Sequence, residues 1–508
     1  MVWRWLFLFS PKPCLNPIFS APAMTNASYA HSAIKGTLWT YASYYSGKFI
    51  VFLSTILLAN LLTKEDFGVV GFALVVIGFL DVLSDLGIGP AVVYERENPK
   101  SGSTAFWIGL AVGLALCVFA WLLAPLTAYY FKDPRAVPVL RALAFTFPIT
   151  ALSNIHANLL TKALQFRRRF IPDFARAVAK GVFSVAFALL GFGFWSLVWG
   201  QLLGTLATVI AYWGVFPWRP ALEFDRAIAR RLLTFGKSVV AVDGLASILL
   251  NLDFLFVGHF LGTEALGVYS LAFRLPDLLI TQFATSVSSV LFPIYVKMRE
   301  QADSLGRGFL TTLRYVSMVT IALGIGLMLV AGPFVRTFLA VQWLDAIPVI
   351  QAIALYAMFF SLAYNAGSLY KATGQPYILT RLALIRLALL APALYYAAAV
   401  MVTIRAVGYA HALVAFLSGL LNLIVAARIA SVSFAEVLAS LRPAALSGLG
   451  MALAVWGISV FAGGWPPALQ LTIFTLTGGL VYIALLLLQQ PDLTLTIKQL
   501  ALVARRRA

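Results

Sequence analysis

Charge is scarce in this chain. Only 11% of its 508 residues are Asp, Glu, Lys or Arg, about half the share of an ordinary soluble domain. Cysteine is nearly absent. Cys14 and Cys117 alone cannot supply a disulfide framework or a thiolate metal site. The four histidines, His31, His156, His259 and His411, are scattered without metal-ligand spacing. No phosphate-cradling Gly-rich loop followed by Lys and Ser or Thr occurs, so direct ATP consumption is excluded as the energy source. Ser, His and Asp never meet in a hydrolase-like context. No long polar segment exists to hold a soluble catalytic or nucleic-acid-binding domain, so the net charge of +18 must sit on loops.

What is present is hydrocarbon. Hydrophobic residues make up 61% of the chain, and the mean hydropathy is +0.91. Apolar runs long enough to cross a bilayer recur throughout without period-two alternation, which selects helices over a barrel. The chain therefore reads as an all-α integral membrane protein with about fourteen spans. They fall at roughly 37–62, 67–92, 103–130, 137–161, 172–191, 194–216, 232–261, 266–294, 309–333, 346–370, 377–401, 404–428, 440–463 and 467–489, joined by short loops. With both termini inside, the cytoplasmic segments hold 23 Lys and Arg and the opposite side only six, Lys64, Lys132, Arg135, Arg141, Arg336 and Arg405. That bias sets the orientation.

An internal repeat divides the chain. Leu62-Thr63-Lys64-Glu65-Asp66-Phe67-Gly68-Val69 returns as Leu261-Gly262-Thr263-Glu264-Ala265-Leu266-Gly267-Val268. It joins spans 1 and 2 in one case and spans 7 and 8 in the other. A fainter echo pairs Thr161-Lys162-Ala163 with Tyr370-Lys371-Ala372. Two six-helix lobes related by a pseudo-two-fold along the membrane normal are expected, 37–216 and 232–430. The basic segment 217–231 links them and is expected to form an amphipathic cytoplasmic helix. Residues 431–508 add two C-terminal helices and a basic tail. Residues 1–36 read as a tail with a short apolar stretch and several prolines. Met24 is the better initiator there, with a weak signal peptide as the other reading.

The chain is organised around Leu61 to Glu97, and a family resemblance is carried by LLTKEDFGVVGFALVVIGFLDVLSDLGIGPAVV within it. This stretch resembles the polysaccharide-transport family of lipid-linked oligosaccharide flippases, close to the lipopolysaccharide and exopolysaccharide exporters. That family lies in the superfamily that includes the lipid II flippase and the multidrug exporters. The resemblance implies an alternating-access transporter of the bacterial cytoplasmic membrane. Its substrate would be an undecaprenyl-pyrophosphate-linked oligosaccharide, carried without an organic cofactor and with possible H⁺ or Na⁺ coupling. It also implies membrane lipids and a polysaccharide polymerase or glycosyltransferase as partners, and two complete lobes make a monomer sufficient. A cation-coupled drug exporter and a polyprenyl-dependent glycosyltransferase are the competing readings. The loops are too short for the glycosyltransferase, because Glu65 and Asp66 in the first one read as a turn and helix start.

A pyrophosphate crossing hydrocarbon needs fixed positive charge in place of its hydration. Lys48, Lys180, Arg274 and Arg386 lie too deep in their spans to snorkel, whereas Arg176, Lys237, Arg314 and Arg381 lie near cytoplasmic ends. The four deep cations are expected to line a central cavity, or else to be neutralised by buried carboxylates. Tyr41, Tyr44 and Lys48 share a helical face and form a candidate glycan-facing stripe; an interfacial aromatic belt is the other reading of the tyrosines. Asp81, Asp85, Asp243, Asp253 and Asp277 are the carboxylates within spans, candidates for ion coupling or for pairing with the cations. Pro276 and Pro392 are candidate hinges.

Overall fold

The computed structural model describes residues 46–85, 99–163, 165–298 and 302–490. Helices dominate, and there is no strand among the described residues. In chain order they are α1 (Ser46–Leu61), α2 (Lys64–Asp85), α3 (Pro99–Phe131), α4 (Ala136–Leu143), α5 (Thr146–Lys162), α6 (Phe166–Leu189), α7 (Trp195–Val215), α8 (Arg226–Phe256), α9 (Gly262–Pro276), α10 (Gln282–Met298), α11 (Ala302–Phe338), α12 (Ala346–Tyr364), α13 (Ala366–Ala372), α14 (Tyr377–Tyr395), α15 (Ile404–Ile429), α16 (Phe434–Phe461) and α17 (Pro467–Gln489). Helix is what hydrocarbon imposes, because each N–H and C=O must be satisfied within its own segment.

By length and composition, eleven helical runs among the described residues can cross a membrane. The expected count of fourteen differs from this for three physical reasons. The described part of α1 is short. Helix α6 carries Arg168, Arg169, Asp173, Arg176 and Lys180, so it is not apolar enough to count. The run Gly244–Met298 is unbroken in hydropathy and counts once, although Gly262 turns the chain within it at φ +85°. Two expected single spans are broken. Pro148 near the start of α5 marks the break from α4, and Asn365 separates α12 from α13.

The prolines act where the sequence placed them. Pro276 ends α9, and a π-helical turn, Asp277–Thr281, follows before α10. Pro392 is followed by another, Tyr396–Val400. Such turns are wide spots in a helix that recur at functional sites. The linker departs from expectation. Residues 217–225 form no helix, and helix begins only at Arg226, where the Asp225 side chain caps the free N–H groups of Ala227 and Ile228. Pro217 and Pro220 lack N–H groups, and the segment is tied to α3 instead. Ser103 accepts from Ala221 N–H at 3.0 Å, Thr104 accepts from Asp225 N–H at 3.2 Å, and Trp107 donates to the Ala221 carbonyl at 2.9 Å.

The large buried side chains of α2, α9 and α12, with Trp343, make the principal core. The last two helices pack on α11, where the Tyr482 hydroxyl donates to the Met318 carbonyl at 2.7 Å. Their outward faces carry Trp456, Phe461 and Leu480 in the open. That is the surface of a helix whose solvent is lipid.

Candidate functional site

The two copies of the repeat pack on each other. A β-carbon at Gly68 would overlap the Thr263 carbonyl, and one at Gly267 would overlap the Lys64 carbonyl. Thr263 and Gly267 are the repeat counterparts of Lys64 and Gly68, so the contact is reciprocal, as a two-fold between α2 and α9 requires. Absence of a side chain at both glycines lets the backbones touch.

Charge closes the same end of the bundle. Lys64 Nζ lies 3.0 Å from Glu264 Oε1 and 2.7 Å from Asp345 Oδ2. Arg135 bonds Glu65 and Asp133, and Asp133 accepts from the Thr263 hydroxyl at 2.9 Å. Burial pushes the Asp133 carboxyl up. Its bonds from Arg135 and Thr263 outweigh that and hold it below the usual carboxylate range. Buried Trp343 donates to the Ala59 carbonyl at 2.6 Å, and Gln342 to that of Leu62 at 3.0 Å. Thr63 and Asp66 cap α2 reciprocally, so Asp66 has a structural task, and Glu65 is one of the ion-pair partners.

Beneath this seal lies a cavity of about 270 Å³, bounded by α1, α2, α6, α7, α8 and α9 and lined from both halves. Lys180 and Arg274 line it with Asp277, Gln201, Asn251 and Ser270. Lys180 is set by helix packing. Gly200 and Gly204, one turn apart on α7, let α6 approach so closely that a β-carbon at 204 would lie 2.9 Å from Lys180 Cβ. Arg274 donates to Thr55 Oγ1 on α1 at 2.9 Å, across the halves, and its guanidinium sits 5.8 Å from the Phe67 ring. Phe67 meets Trp343 edge-on at 5.4 Å, so an unbroken set of contacts runs from the cavity to the seal. Lys48 is half-buried and near enough to act electrostatically on both Lys180 and Asp277. The Asp277 carboxylate accepts from Gln282 at 3.2 Å. Lys180 and Arg274 thus line the cavity with one carboxylate, Asp277, and Lys48 acts on that carboxylate from nearby.

Not every candidate lies here. Arg386 lines a separate cavity within the C-terminal half. Asp81 is exposed and accepts from Ser84 at 3.0 Å. Asp253 is fully buried away from the cavity, with the Tyr269 hydroxyl 2.6 Å from its Oδ2. Tyr41 and Tyr44, and the side chains of Asp85, Asp243 and Lys237, lie outside the described residues. No cluster of three or more His, Cys, Asp or Glu suited to a metal ion occurs among the described residues. One residue escaped sequence reading: His411, whose ring sits 3.2 Å from Asp253 and 3.4 Å from Arg386. Its signal was only that a histidine stood mid-span.

A helical bundle of this kind, sealed at one end over a cation-lined cavity between repeats, is a multi-pass membrane protein of the flippase and multidrug-exporter fold. The chain is similar along 90% of its length to the inward closed conformation of the lipid II flippase MurJ, all of which it covers, with TM-score 0.75 and 16% identity. An inward-facing multidrug resistance MATE family transporter of the MOP superfamily matches over 76% of this chain and 94% of its own, with TM-score 0.62 and 16% identity. Residues 57–348 match the family described as polysaccharide biosynthesis protein, and the chain belongs to that family. Among curated relatives, the teichuronic acid biosynthesis protein TuaB of Bacillus subtilis is 25% identical over 68% of this chain and 73% of its own. The lipopolysaccharide biosynthesis protein WzxC of Escherichia coli is 26% identical over 63% and 65%. The succinoglycan biosynthesis transport protein ExoT of Rhizobium meliloti is 24% identical over 72% and 74%.

Proposed function

We propose that this protein is a flippase, which turns an undecaprenyl-pyrophosphate-linked oligosaccharide across the bacterial cytoplasmic membrane for lipopolysaccharide or exopolysaccharide assembly. Membership of a polysaccharide biosynthesis family supports the pathway class. The observation that carries the mechanism is the cavity between the repeats, where Lys180 and Arg274 face one space below a sealed end. A pyrophosphate enters that space head first while its polyprenyl tail stays in lipid. The two basic groups, with Lys48 nearby, replace its water.

Lys48, Lys180 and Arg274 bind the diphosphate, and Asp277 balances them when the site is empty. The sealed end faces the periplasm by the excess of basic residues in the opposite loops, so both termini are cytoplasmic. Residues 37–216 and 232–430 act as the two lobes, with 431–508 attached. Neutralisation of the cations by substrate releases Arg274 from Thr55. The α2–α9 seal then parts as the opposite end closes, the differential contact that alternating access requires. Energy comes from an ion gradient or from downstream consumption of the glycan. A monomer suffices.

The test is flipping of a fluorescent polyprenyl-pyrophosphate oligosaccharide in proteoliposomes. Each of Lys48→Ala, Lys180→Ala and Arg274→Ala removes a charge-assisted contact of roughly 1.5–3 kcal/mol. Each should lower flipping by about tenfold or more with normal insertion. Unchanged flipping in all three rejects the site, and a folded parent that flips no polyprenyl substrate under any imposed gradient rejects the function.

A further inference from the structure

Helix α6 carries charge where a span is expected to be apolar. Arg169, Asp173, Arg176 and Lys180 follow one another at steps of four, three and four residues, so they stand in one row on one helix face. The row begins near the start of α6, the end that the charge bias assigns to the cytoplasm. It climbs about 16 Å to Lys180 on the wall of the central cavity. Its members act on one another in sequence. Arg169 Nη1 donates to the Thr161 hydroxyl at 2.9 Å, and its Nε lies 3.7 Å from Asp173 Oδ2. The Tyr212 hydroxyl on α7 is within reach of both. Arg176 acts electrostatically on Asp173 on one side and on Lys180 on the other. Arg169 and Asp173 are 43% and 49% exposed, and Arg176 is exposed as well, so an ion from outside can reach all three. Arg176 has no hydrogen bond or ion pair among the described residues.

The fold does not require these charges. The echo that pairs Lys162 with Lys371 has an offset of 209, and the same offset carries Trp195, which opens α7, to Ile404, which opens α15. At that offset Arg169, Asp173, Arg176 and Lys180 become Ile378, Leu382, Ile385 and Leu389 on α14, all of them apolar. The cations of α14, Arg381 and Arg386, stand five residues apart and so on different faces. Snorkelling accounts for Arg169 and Arg176 singly. It does not account for a carboxylate between them, nor for a row that ends on a cation in the cavity.

We propose that this row is a loading track, along which a polyprenyl-diphosphate head passes from the cytoplasmic surface to the central cavity, with Arg176 as the relay between Arg169 and Lys180. The inference rests on the flippase reading and adds to it the route and a residue that meets the head before the cavity does. The head displaces Asp173 as the partner of Arg169 and Arg176. Arg176 stands about one turn from Lys180, a gap that a diphosphate bridges between two long side chains, so the anion keeps a cation beside it while it loses water. Asp173 competes with the head throughout, which keeps the hold at Arg176 weak and lets the head move on. The polyprenyl tail stays in lipid.

The experiment is stopped-flow association of a fluorescent geranyl pyrophosphate with the full chain in phosphatidylcholine nanodiscs, where no anionic lipid competes. Arg176→Gln should slow association about tenfold and leave dissociation near the parental rate, because a charge on the approach steers the anion and does not hold it. Arg176→Met serves the same purpose if the first variant does not elute as a monodisperse species. Lys180→Ala should do the reverse and speed dissociation. Arg176→Lys keeps the charge and should recover most of the rate. Asp173→Asn should speed association, and in proteoliposomes it should slow turnover of the polyprenyl-pyrophosphate oligosaccharide by delaying the last transfer. Ile385→Arg puts the same charge at the counterpart position on α14 and should leave association unchanged. A tenfold acceleration there would mean diffuse attraction to a basic protein, and it overturns the track. A parental association rate in the folded Arg176 variants at low salt, where steering is strongest, also overturns it, as does a folded parent that binds no diphosphate. The flippase reading fails separately: a parent that binds the probe through Arg176 yet flips no glycolipid keeps the diphosphate track and loses the transport.

Discussion

Lys64 Nζ on α2 lies 3.0 Å from Glu264 Oε1 on α9, one position from its own counterpart in the repeat. Because Asp345 approaches the same nitrogen, one cation ties three segments at the sealed end. Lys64 is mostly shielded but both carboxylates are largely exposed, so each pair is worth only about 0.5–1 kcal/mol. That is enough to shift a balanced open–closed equilibrium about two- to fivefold. Lys64→Glu should therefore open this end, and Lys64→Glu with Glu264→Lys should restore part of the closure. Spin labels at the exposed positions 132 and 341, in a background lacking both cysteines, report the distance. An unchanged distribution in Lys64→Glu would show that backbone packing alone holds the seal.

Backbone packing is the larger contribution. Gly68 and Gly267 each meet a carbonyl of the other repeat with no room for a β-carbon. Gly68→Val or Gly267→Val should cost roughly 1–3 kcal/mol of the closed state by overpacking. Both should reduce flipping about tenfold or more. Gly262→Ala, at the positive φ that opens the second copy of the repeat, should lower thermal stability instead. The comparison separates a gate lesion from a folding lesion, read as transport against melting temperature in the same detergent.

Acid should leave the seal intact further than an ordinary carboxylate allows. Asp133 is held below its usual range when folded. Such a group contributes stability fully above its unfolded value, near about 3.9, and loses it as pH falls through the lower folded value. The melting-temperature gap between the parent and Asp133→Asn should thus be constant from about pH 8 down to about pH 4. It should shrink only below that. The gap corresponds to roughly 1–3 kcal/mol for the bonds left unmade. A gap already closing at pH 6 would contradict the Arg135 and Thr263 contacts.

Much of this was legible in one dimension. Hydropathy gave the helices, and the repeated pattern of Leu, Glu, Gly and Val at 62, 65, 68 and 69 and again at 261, 264, 267 and 268 marked two segments that turn out to pack face to face. Pro276 and Pro392 marked the helices that widen into π turns. Other features were not legible, because they depend on distances between segments far apart in the chain. Asp253, Tyr269, Arg386 and His411 meet from four helices, and no spacing rule reaches that far. Arg386 looked equivalent to Lys180 by depth, yet it faces another cavity, since depth along a helix says nothing of which face it presents. The linker misled for a local reason. Its charges suggested an amphipathic helix, while Pro217 and Pro220 and the anchoring of the segment on α3 kept it extended up to the Asp225 cap.

Lys180 owes its place to two glycines, so moving the neighbouring helix should move the charge without removing it. Gly204 faces Lys180 Cβ and the Arg176 carbonyl, and Gly200 faces Ser184 and the Lys180 carbonyl. Gly204→Ala already forces a shift, because its β-carbon would lie 2.9 Å from Lys180 Cβ, and Gly204→Leu must push α6 further from α7. If Lys180 meets the pyrophosphate, Gly204→Leu should weaken substrate affinity about as much as Lys180→Ala. The double variant should then lose little more, since both remove one contact. Lys180→Arg, longer but still cationic, should recover part of the loss in the Gly204→Ala background. Additive losses in the double variant would place Lys180 off the substrate path and make the glycine pair a matter of packing alone.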